Sequence, residues 1–516
     1  MLRKLSSGSA SVILILVTIM FQSPGWTGQN PPAKAGSPGQ HSAQLGPIYE
    51  VNLEYFPHHQ FTELTAMMPR LEKLGIKIIY ILPIWECLGA QQYLIADYYK
   101  INPRYGTAAD LKELVATAHQ HGISVLLDFV TSLTYDGSYI FANHPDWILQ
   151  DLKGERQRYF PFPQFGWALD CTNPQVIDYF TKVARYYVEE FDIDGWRVDS
   201  PANNYDAKKI SGDHTRIQML RSVKAAITKV KPAAILIAEN TGPAWCISKL
   251  PIDTPPLFDE MCDAAYNYPL CGFMGGSAPG SYHYVVPGPW DNPQTFQQWT
   301  ETMLDKVVYQ RATSREFVEA VKHQPILNNR LRANFTENHD TARVAEGFPD
   351  QHRALFVLIA TMPGLPVVHA GEEVGAKTHP QASTAASQVV NWQGGDKELE
   401  AFYTQVLKIR SENKALQEGD IDDVWKGGDN VIAYLRSCRG SQVITAVNFS
   451  PQPARSTLAV PVDKSGIKLE SQYLLRDETD NETFIRKGRD LQNLELDLPA
   501  YGCRVISVKP HTKSAH

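Results

Sequence analysis

The sequence predicts an α/β protein: a (β/α)8 barrel of the TIM type, with an excursion after its third strand and a C-terminal antiparallel β domain. Eight short apolar runs alternate with helical patterns between residues 47 and 412. Most of these runs are too apolar to leave a face in water, as strands of a closed parallel sheet require. Beyond 412 the helical units stop and runs of period two replace them. An open doubly wound sheet is the competing arrangement for the same alternation.

The N-terminus, "MLRKLSSGSASVILILVTIMFQSPGWTGQN", places Arg3 and Lys4 before an apolar core from Val12 to Phe21. Residues 1–28 read as an export signal. The apolar core is well short of the roughly 20 residues that span a bilayer. The expectation is a secreted or periplasmic protein with no stable membrane span after signal removal. Residues 29–46, rich in Pro, Gly, Ser and Gln, read as a linker.

The barrel is expected over 47–412. Its first strand is "PIYEVNLEY", and its second, "IKIIYILPI" (76–84), follows a helix carrying Leu64, Met67, Met68, Leu71 and Leu74 at helical spacing. Then come "ISVLLDFV" (123–130), "IDGWRVD" (193–199), "AAILIAEN" (233–240), a weaker run near 258–266, "RANFTENHD" (332–340) and "LPVVHAG" (365–371). Residues 131–173 are too long and too rich in aromatics, Pro and Gly for an ordinary connection, and read as an inserted loop domain. In the β domain, 413–516, "NVIAYLRS", "SQVITAVNFS" and "YGCRVISVKP" alternate as antiparallel strands do.

Composition narrows the function. With 43% hydrophobic residues, 20% charged residues and a net charge of -7, the chain has no basic block to attract nucleic acid. A neutral or weakly charged substrate fits better. The seven cysteines are scattered and odd in number, so no disulfide framework is implied. Cys262 and Cys271 are near enough in sequence to close a short loop, although spacing does not fix pairing. No C-x-x-C or H-E-x-x-H pattern supports a zinc site. Asn334, Asn448 and Asn481 head glycosylation acceptor tripeptides.

Arg197 and Asp199 lie two apart at the end of a strand, so their side chains share one face. The pair is either a structural ion pair or a nucleophile held ionised by its neighbour. Asp128, Asp199, Glu239 and Asp340 all fall at C-terminal strand ends, where barrel active sites are built. Each alone reads as a cap or an ion-pair partner. Together, with Arg197 and His339 beside them, they suit chemistry at an acetal carbon. Glycosidic cleavage needs a carboxylate at the anomeric centre and a carboxylic acid at the leaving oxygen. An Arg keeps the first ionised, while a carboxyl among other carboxylates and apolar walls stays protonated. Tyr93, Trp167 and Trp196 offer flat faces to sugar rings, or pack internally.

These motifs resemble the α-amylase family, glycoside hydrolase family 13. "GWRVD" is similar to its G-x-R-x-D element, "IAEN" to its acid/base strand, and "FTENHD" to F-x-x-N-H-D. "YLIADYYKINPRYGT" (93–107) resembles its aromatic-platform segment and "GLPVVHAGEEVG" (364–375) its last barrel strand. The resemblance implies Asp199 as nucleophile, Glu239 as general acid/base and Asp340 as transition-state stabiliser. It further implies substrate contacts from Tyr93, Asp128, Arg197, His339 and Arg343, with Tyr93 stacking at the cleavage subsite, and an α-glucan or α-glucoside as the partner.

Two departures qualify it. The family's D-x-x-x-N-H after strand three appears here as Asp128 followed by Ser132 and Leu133, and the middle Asp of L-P-D-L-D appears as Ala168. Two oxygen ligands of the family's calcium site are therefore missing, and no metal or other cofactor is expected. Ala202 and Asn203 stand where the family often carries Lys-His on the acceptor side. A transglycosylase or isomerase acting on short α-glucosides, or a barrel scaffold without catalysis, stays open beside a hydrolase.

Overall fold

Eight parallel strands close on themselves, each hydrogen-bonded to the next. They are β1 (Ile48–Val51), β2 (Ile78–Ile81), β3 (Ser124–Phe129), β4 (Gly195–Val198), β5 (Ile235–Ala238), β6 (Ala264–Tyr266), β7 (Leu331–Asn334) and β8 (Leu365–His369). Ile48 pairs with Ile78 on one side and Val367 on the other, which closes the ring. The structure, a computed structural model, describes residues 45–89, 91–159, 163–201, 217–239, 262–271, 303–322, 331–341, 343–377, 389–428 and 430–511. The expected export signal and most of the linker lie outside the described residues, as do Ala202 and Asn203. No described helix is long and apolar enough to cross a membrane.

The strands are short and sealed on both faces; β1, β2, β4, β5 and β8 are buried throughout. Their inward side chains near the C-terminal end are polar, and they build the site described below. Gly195 opens β4 with a φ of 145°, and a Cβ there would lie 1.8 Å from the carbonyl oxygen of Ile235. Only glycine lets β4 and β5 approach so closely.

The structure refines several expectations. The single helix expected before β2 is two, Phe61–Ala66 and Met68–Leu74, because Pro69 in the first turn of the second has no N–H to continue a helix. After β2 the chain forms an antiparallel hairpin, Trp85–Leu88 with Gln91–Ile101, which carries Tyr93. The excursion after β3 is real but sparse in regular structure. A two-residue ladder pairs Leu133–Thr134 with Trp167–Ala168, and one short helix spans Tyr139–Asn143. The long helix Pro174–Phe191 then leads into β4. Helical structure runs slightly past 412, to Glu418.

The C-terminal sheet is antiparallel, in the order Asp420–Asp423, Val431–Cys438, Ser441–Asn448, Cys503–Pro510, Gln472–Asp477, Thr483–Lys487. Two buried arginines, Arg436 of the sheet and Arg410 of the barrel-side helix Lys397–Glu412, meet at its seam with the barrel. Arg436 donates to the carbonyls of Thr361 and Gly419, and Arg410 to those of Ala360 and Gly364. They cap the C-terminal carbonyls of the His352–Thr361 helix just before β8. Cys262 and Cys271 are both buried and are not joined to each other, so no short disulfide loop forms there. Asn334 and Asn448 are fully buried, which excludes them as glycan acceptors in the folded chain, whereas Asn481 is exposed on a turn.

Gly195→Ala should lower stability by at least about 3 kcal/mol in urea unfolding, because the new methyl meets backbone that cannot retreat.

Candidate active site

The parallel register sets Asp128 of β3 beside Arg197 of β4. Arg197 Nη1 donates to both oxygens of Asp128 at 3.0 and 3.2 Å and to Asp199 at 3.1 Å. Nη2 lies 3.0 Å from Oε1 of Glu239. Tyr80 and Tyr266 flank the guanidinium at 5.5 and 5.7 Å. Arg197 is 1% exposed, so water does little for its charge and the carboxylates must compensate it.

Glu239 follows β5 and is gripped on both oxygens. The Ser200 amide donates to Oε2 at 2.7 Å and the Tyr268 hydroxyl to Oε1 at 3.2 Å. Ser200 adopts a φ of 36°, a strained conformation for a serine, held where its N–H meets the carboxylate. Burial pushes the Glu239 pKa up, but Arg197, the Ser200 amide, His339 and Tyr268 outweigh it and bring it below the ordinary carboxylate value. This corrects the expectation that the acid/base carboxyl stays protonated. Two carboxyls of the site are pushed upward. Asp128 is raised by burial, against the pull of Arg197 and His339. Asp340, whose side chain is still 43% exposed, is raised by partial desolvation and by the Glu239 and Glu50 carboxylates, against the pull of His339 and Arg197.

His339 is held as a cation by geometry. The Tyr93 hydroxyl lies 2.7 Å from Asp128 and 2.8 Å from His339 Nε2. Its one proton goes to the carboxylate, so Nε2 donates to it. Nδ1 lies 2.7 Å from Glu50 Oε1, which also accepts the His339 amide at 2.8 Å. Burial lowers the imidazole pKa, but Asp340 and Glu50 raise it to about 9. In turn Glu50, despite its burial, is brought down to about 2 by His339. Asp340 Oδ2 sits 3.5 Å from His339 Nε2.

Glu50 was invisible as a site residue in the sequence, and so was Tyr268. The signal for Glu50 is an acid at the centre of a strand, IYEV, that is otherwise apolar and buried on every residue. Tyr93 is fixed from below. Its neighbour Gln92 exchanges hydrogen bonds with Asn52 at 2.8 and 2.9 Å and donates to Tyr105 at 2.6 Å. The Tyr93 ring lies parallel to His339 at 5.8 Å.

The structure thus brings together Asp128, Arg197, Asp199, Glu239, His339, Asp340 and Tyr93. Arg343 is corrected from a substrate contact to a scaffold residue. It is buried, and its guanidinium is bonded to Glu337 at 2.5 Å, His369 at 3.0 Å and the Ala370 carbonyl at 3.0 Å. Trp196 is core, packed on Phe129 at 4.5 Å, and Trp167 has Arg158 over its ring at 3.8 Å. Neither offers a sugar a bare face from those sides. At the family's calcium position Leu133 pairs with Ala168, both buried, beside the neutral hydroxyls of Thr131 and Ser132. This set has no carboxylate, and it does not fit a cation that takes six to eight oxygens.

Comparison with known proteins agrees with this architecture. Residues 61–162 match the α-amylase catalytic domain and residues 421–509 the α-amylase C-terminal all-β domain. The maltogenic α-amylase of Bacillus acidopullulyticus is 26% identical over 457 residues, 83% of this chain and 69% of that one. Both matched domains are those of the α-amylase family of glycoside hydrolases. A second family relative, the cyclomaltodextrinase of Geobacillus thermopakistaniensis, is 26% identical over 85% of this chain and 68% of its own. Among solved members, a maltogenic α-amylase from Thermotoga neapolitana shares the fold at a TM-score of 0.69 and 20% identity, over 92% of this chain and all of that one. The Geobacillus thermoleovorans α-amylase, solved with acarbose, does so at 0.69 and 17%, over 91% and 99%.

Two outcomes follow for this chain. Folded His339 keeps its proton up to about pH 9, whereas an unfolded histidine loses it near 6.5. The stabilisation is therefore full below pH 6.5 and lost as pH rises through 9. Urea unfolding should show stability falling across that window by on the order of 2–3 kcal/mol, and Glu50→Gln should move the fall to lower pH. Excess chelator should leave the Tm within about 1 °C, as expected where the donor set cannot hold calcium.

Proposed function

We propose that this protein cleaves α-glucosidic bonds of α-glucans or their oligosaccharides by a retaining double displacement. One observation carries the reading: a single buried guanidinium holds both Asp199 and Glu239 at the C-terminal end of the barrel. The catalytic-domain match ends at residue 162, before all three carboxylates, so their roles rest on this geometry and on the motifs around them.

In the first half-reaction Glu239, ionised in the free site, takes up a proton as bound sugar shuts out water and gives it to the departing oxygen, while an Asp199 oxygen bonds the anomeric carbon and the bond to the leaving sugar breaks. In the second, Glu239 takes a proton from water, whose oxygen displaces Asp199 with overall retention. Arg197 links the two halves. While Asp199 is ionised, it shares the guanidinium with Glu239, and its negative charge favours a proton on the neighbouring carboxyl. Once Asp199 is esterified that negative charge is gone. Arg197 is then shared by Asp128 and Glu239 alone, and holds Glu239 as the carboxylate that a general base must be. Asp340 and the His339 cation bind sugar hydroxyls and stabilise the oxocarbenium-like transition state.

The export-type residues 1–28 support placing this activity in the secreted or periplasmic space. Leu133, apolar where relatives carry a hydrogen-bonding residue, supports a modified sugar contact at that wall and keeps transfer to a second sugar as the alternative.

The test is a panel of α-glucans and short α-glucosides, with products separated by chromatography. Asp199→Asn should lower turnover at least about 10³-fold while leaving the Tm and circular dichroism unchanged. Near-normal activity in that variant, or no turnover of any substrate by the parent, would overturn the reading. Chain-lengthened products would assign the protein to transfer.

A further inference from the structure

Outside the barrel, the helix Pro174–Phe191 and the segments packed on it present a chain of aromatic rings. Tyr186 lies 5.2 Å from Tyr99, Tyr99 6.2 Å from Tyr179, and Tyr179 5.5 Å from Trp147. Tyr139 runs parallel to Tyr179 at 6.4 Å, and His144 stacks on Trp147 at 3.9 Å. Tyr99 and Tyr139 are 42% and 43% exposed, the largest exposures among tyrosines of the described residues. None of these rings takes part in the catalytic site. Trp147 is buried in the core and Tyr179 and Tyr186 pack against it, whereas Tyr99 and Tyr139 leave much of their surface to water.

At one end the strip opens into a groove of about 400 Å³ walled by His144, Trp147, Gln175, Asp178, Tyr179 and Lys182, with Pro174 at its edge. Its chemistry selects the occupant. No Leu, Ile, Val or Met lines it, so it lacks the aliphatic wall that an acyl chain or an amphipathic helix would bury. Asp178 and Lys182 pair at 2.6 Å, which leaves little net charge to attract a phosphate or an ionic peptide. What remains is a half-exposed aromatic surface of His144 and Tyr179, with Trp147 buried beneath His144, bordered on one side by an amide, a carboxylate and an ammonium. A pyranose presents the matching surface: a C–H face for a ring and a rim of hydroxyls that both donate and accept.

Length and position point to a polymer. Gln175, Asp178, Tyr179, Lys182 and Tyr186 follow one helical stripe, about 16 Å long at 1.5 Å per residue. Barrel helices run against their strands, so the N-terminal, grooved end of this one lies toward the strand ends that carry Asp199 and Glu239. A chain lying on the strip leads toward the catalytic face.

We propose that this strip is a second α-glucan-binding surface, which holds a chain of the polymer without cleaving it. The proposal rests on the α-glucan reading of the active site. The test compares Asp199→Asn, which does not digest its ligand, with the same protein carrying Tyr99→Ala and Tyr139→Ala, in native gels containing soluble starch. In parallel, the double tyrosine variant with Asp199 intact is assayed on a small chromogenic α-maltoside.

Starch retention should weaken about five- to tenfold, with kcat/KM on the small maltoside within about twofold and the Tm unchanged. Tyr139→Ala alone should give a smaller loss in the same direction. Unchanged retention in a variant that still turns over the maltoside would overturn the strip and leave the active-site reading standing. Failure of the parent to turn over any glucan would instead remove the reading beneath it. A dimer that dissociates on removal of the two tyrosines would also overturn the proposal, by assigning the face to self-association.

Discussion

A guanidinium sealed from water is tolerable only where negative charge closes around it, and Arg197 obtains that charge from three carboxylates on three adjacent strands. The dependence is mutual. Without the cation, Asp128, Asp199 and Glu239 would crowd one another in a low-dielectric pocket and could not all ionise. The barrel supplies the neighbouring strand ends, the parallel register sets Asp128 beside Arg197, and a glycine at the start of β4 brings β5 close enough for Glu239 to reach the second guanidinium nitrogen. The site is thus an electrostatic assembly first, and its reactivity follows from how one positive charge is divided.

A second charge pair works beside the first. Glu50 lies on the first strand and His339 follows the seventh, and their contact bridges the eighth strand between them. The Tyr93 hydroxyl joins the two systems by donating to Asp128 and accepting from His339. A change of charge at either pair is therefore felt at the other through one shared oxygen. Glu239 and Asp340 are driven in opposite directions because Glu239 has Arg197, the Ser200 amide and the Tyr268 hydroxyl as partners, whereas Asp340 faces the Glu239 and Glu50 carboxylates.

The fold was legible because burial on both faces leaves a plain mark, and runs such as IIYI, VLLDF and LPVVH have no polar side to show water. Asp199, Glu239 and Asp340 were legible because charge at the end of such a run is costly without a purpose. Glu50 was not, because an acid in the middle of a strand gives no hint of the histidine nearly 290 positions later that neutralises it. The charge state of Glu239 was not, because it depends on the Ser200 amide and Tyr268 hydroxyl, which only the folded chain places. Arg343 departs from what the resemblance implied because its guanidinium turns inward to Glu337 and His369, a direction no motif encodes. The two-helix entry to β2 was written in Pro69 but masked by a continuous apolar stripe.

The inward arginine of the C-terminal sheet has a consequence for how the molecule comes apart. Arg436 reaches out of the sheet to the Thr361 carbonyl, which ends the helix that delivers the last barrel strand, while Arg410 of the helix Lys397–Glu412 serves the Ala360 carbonyl beside it. Peeling the sheet away would strip the Thr361 carbonyl of its donor just before the eighth strand. The ring and its appendage therefore melt together, and a chain cut between them would lose a cap on the barrel's last helix, not merely an accessory lobe.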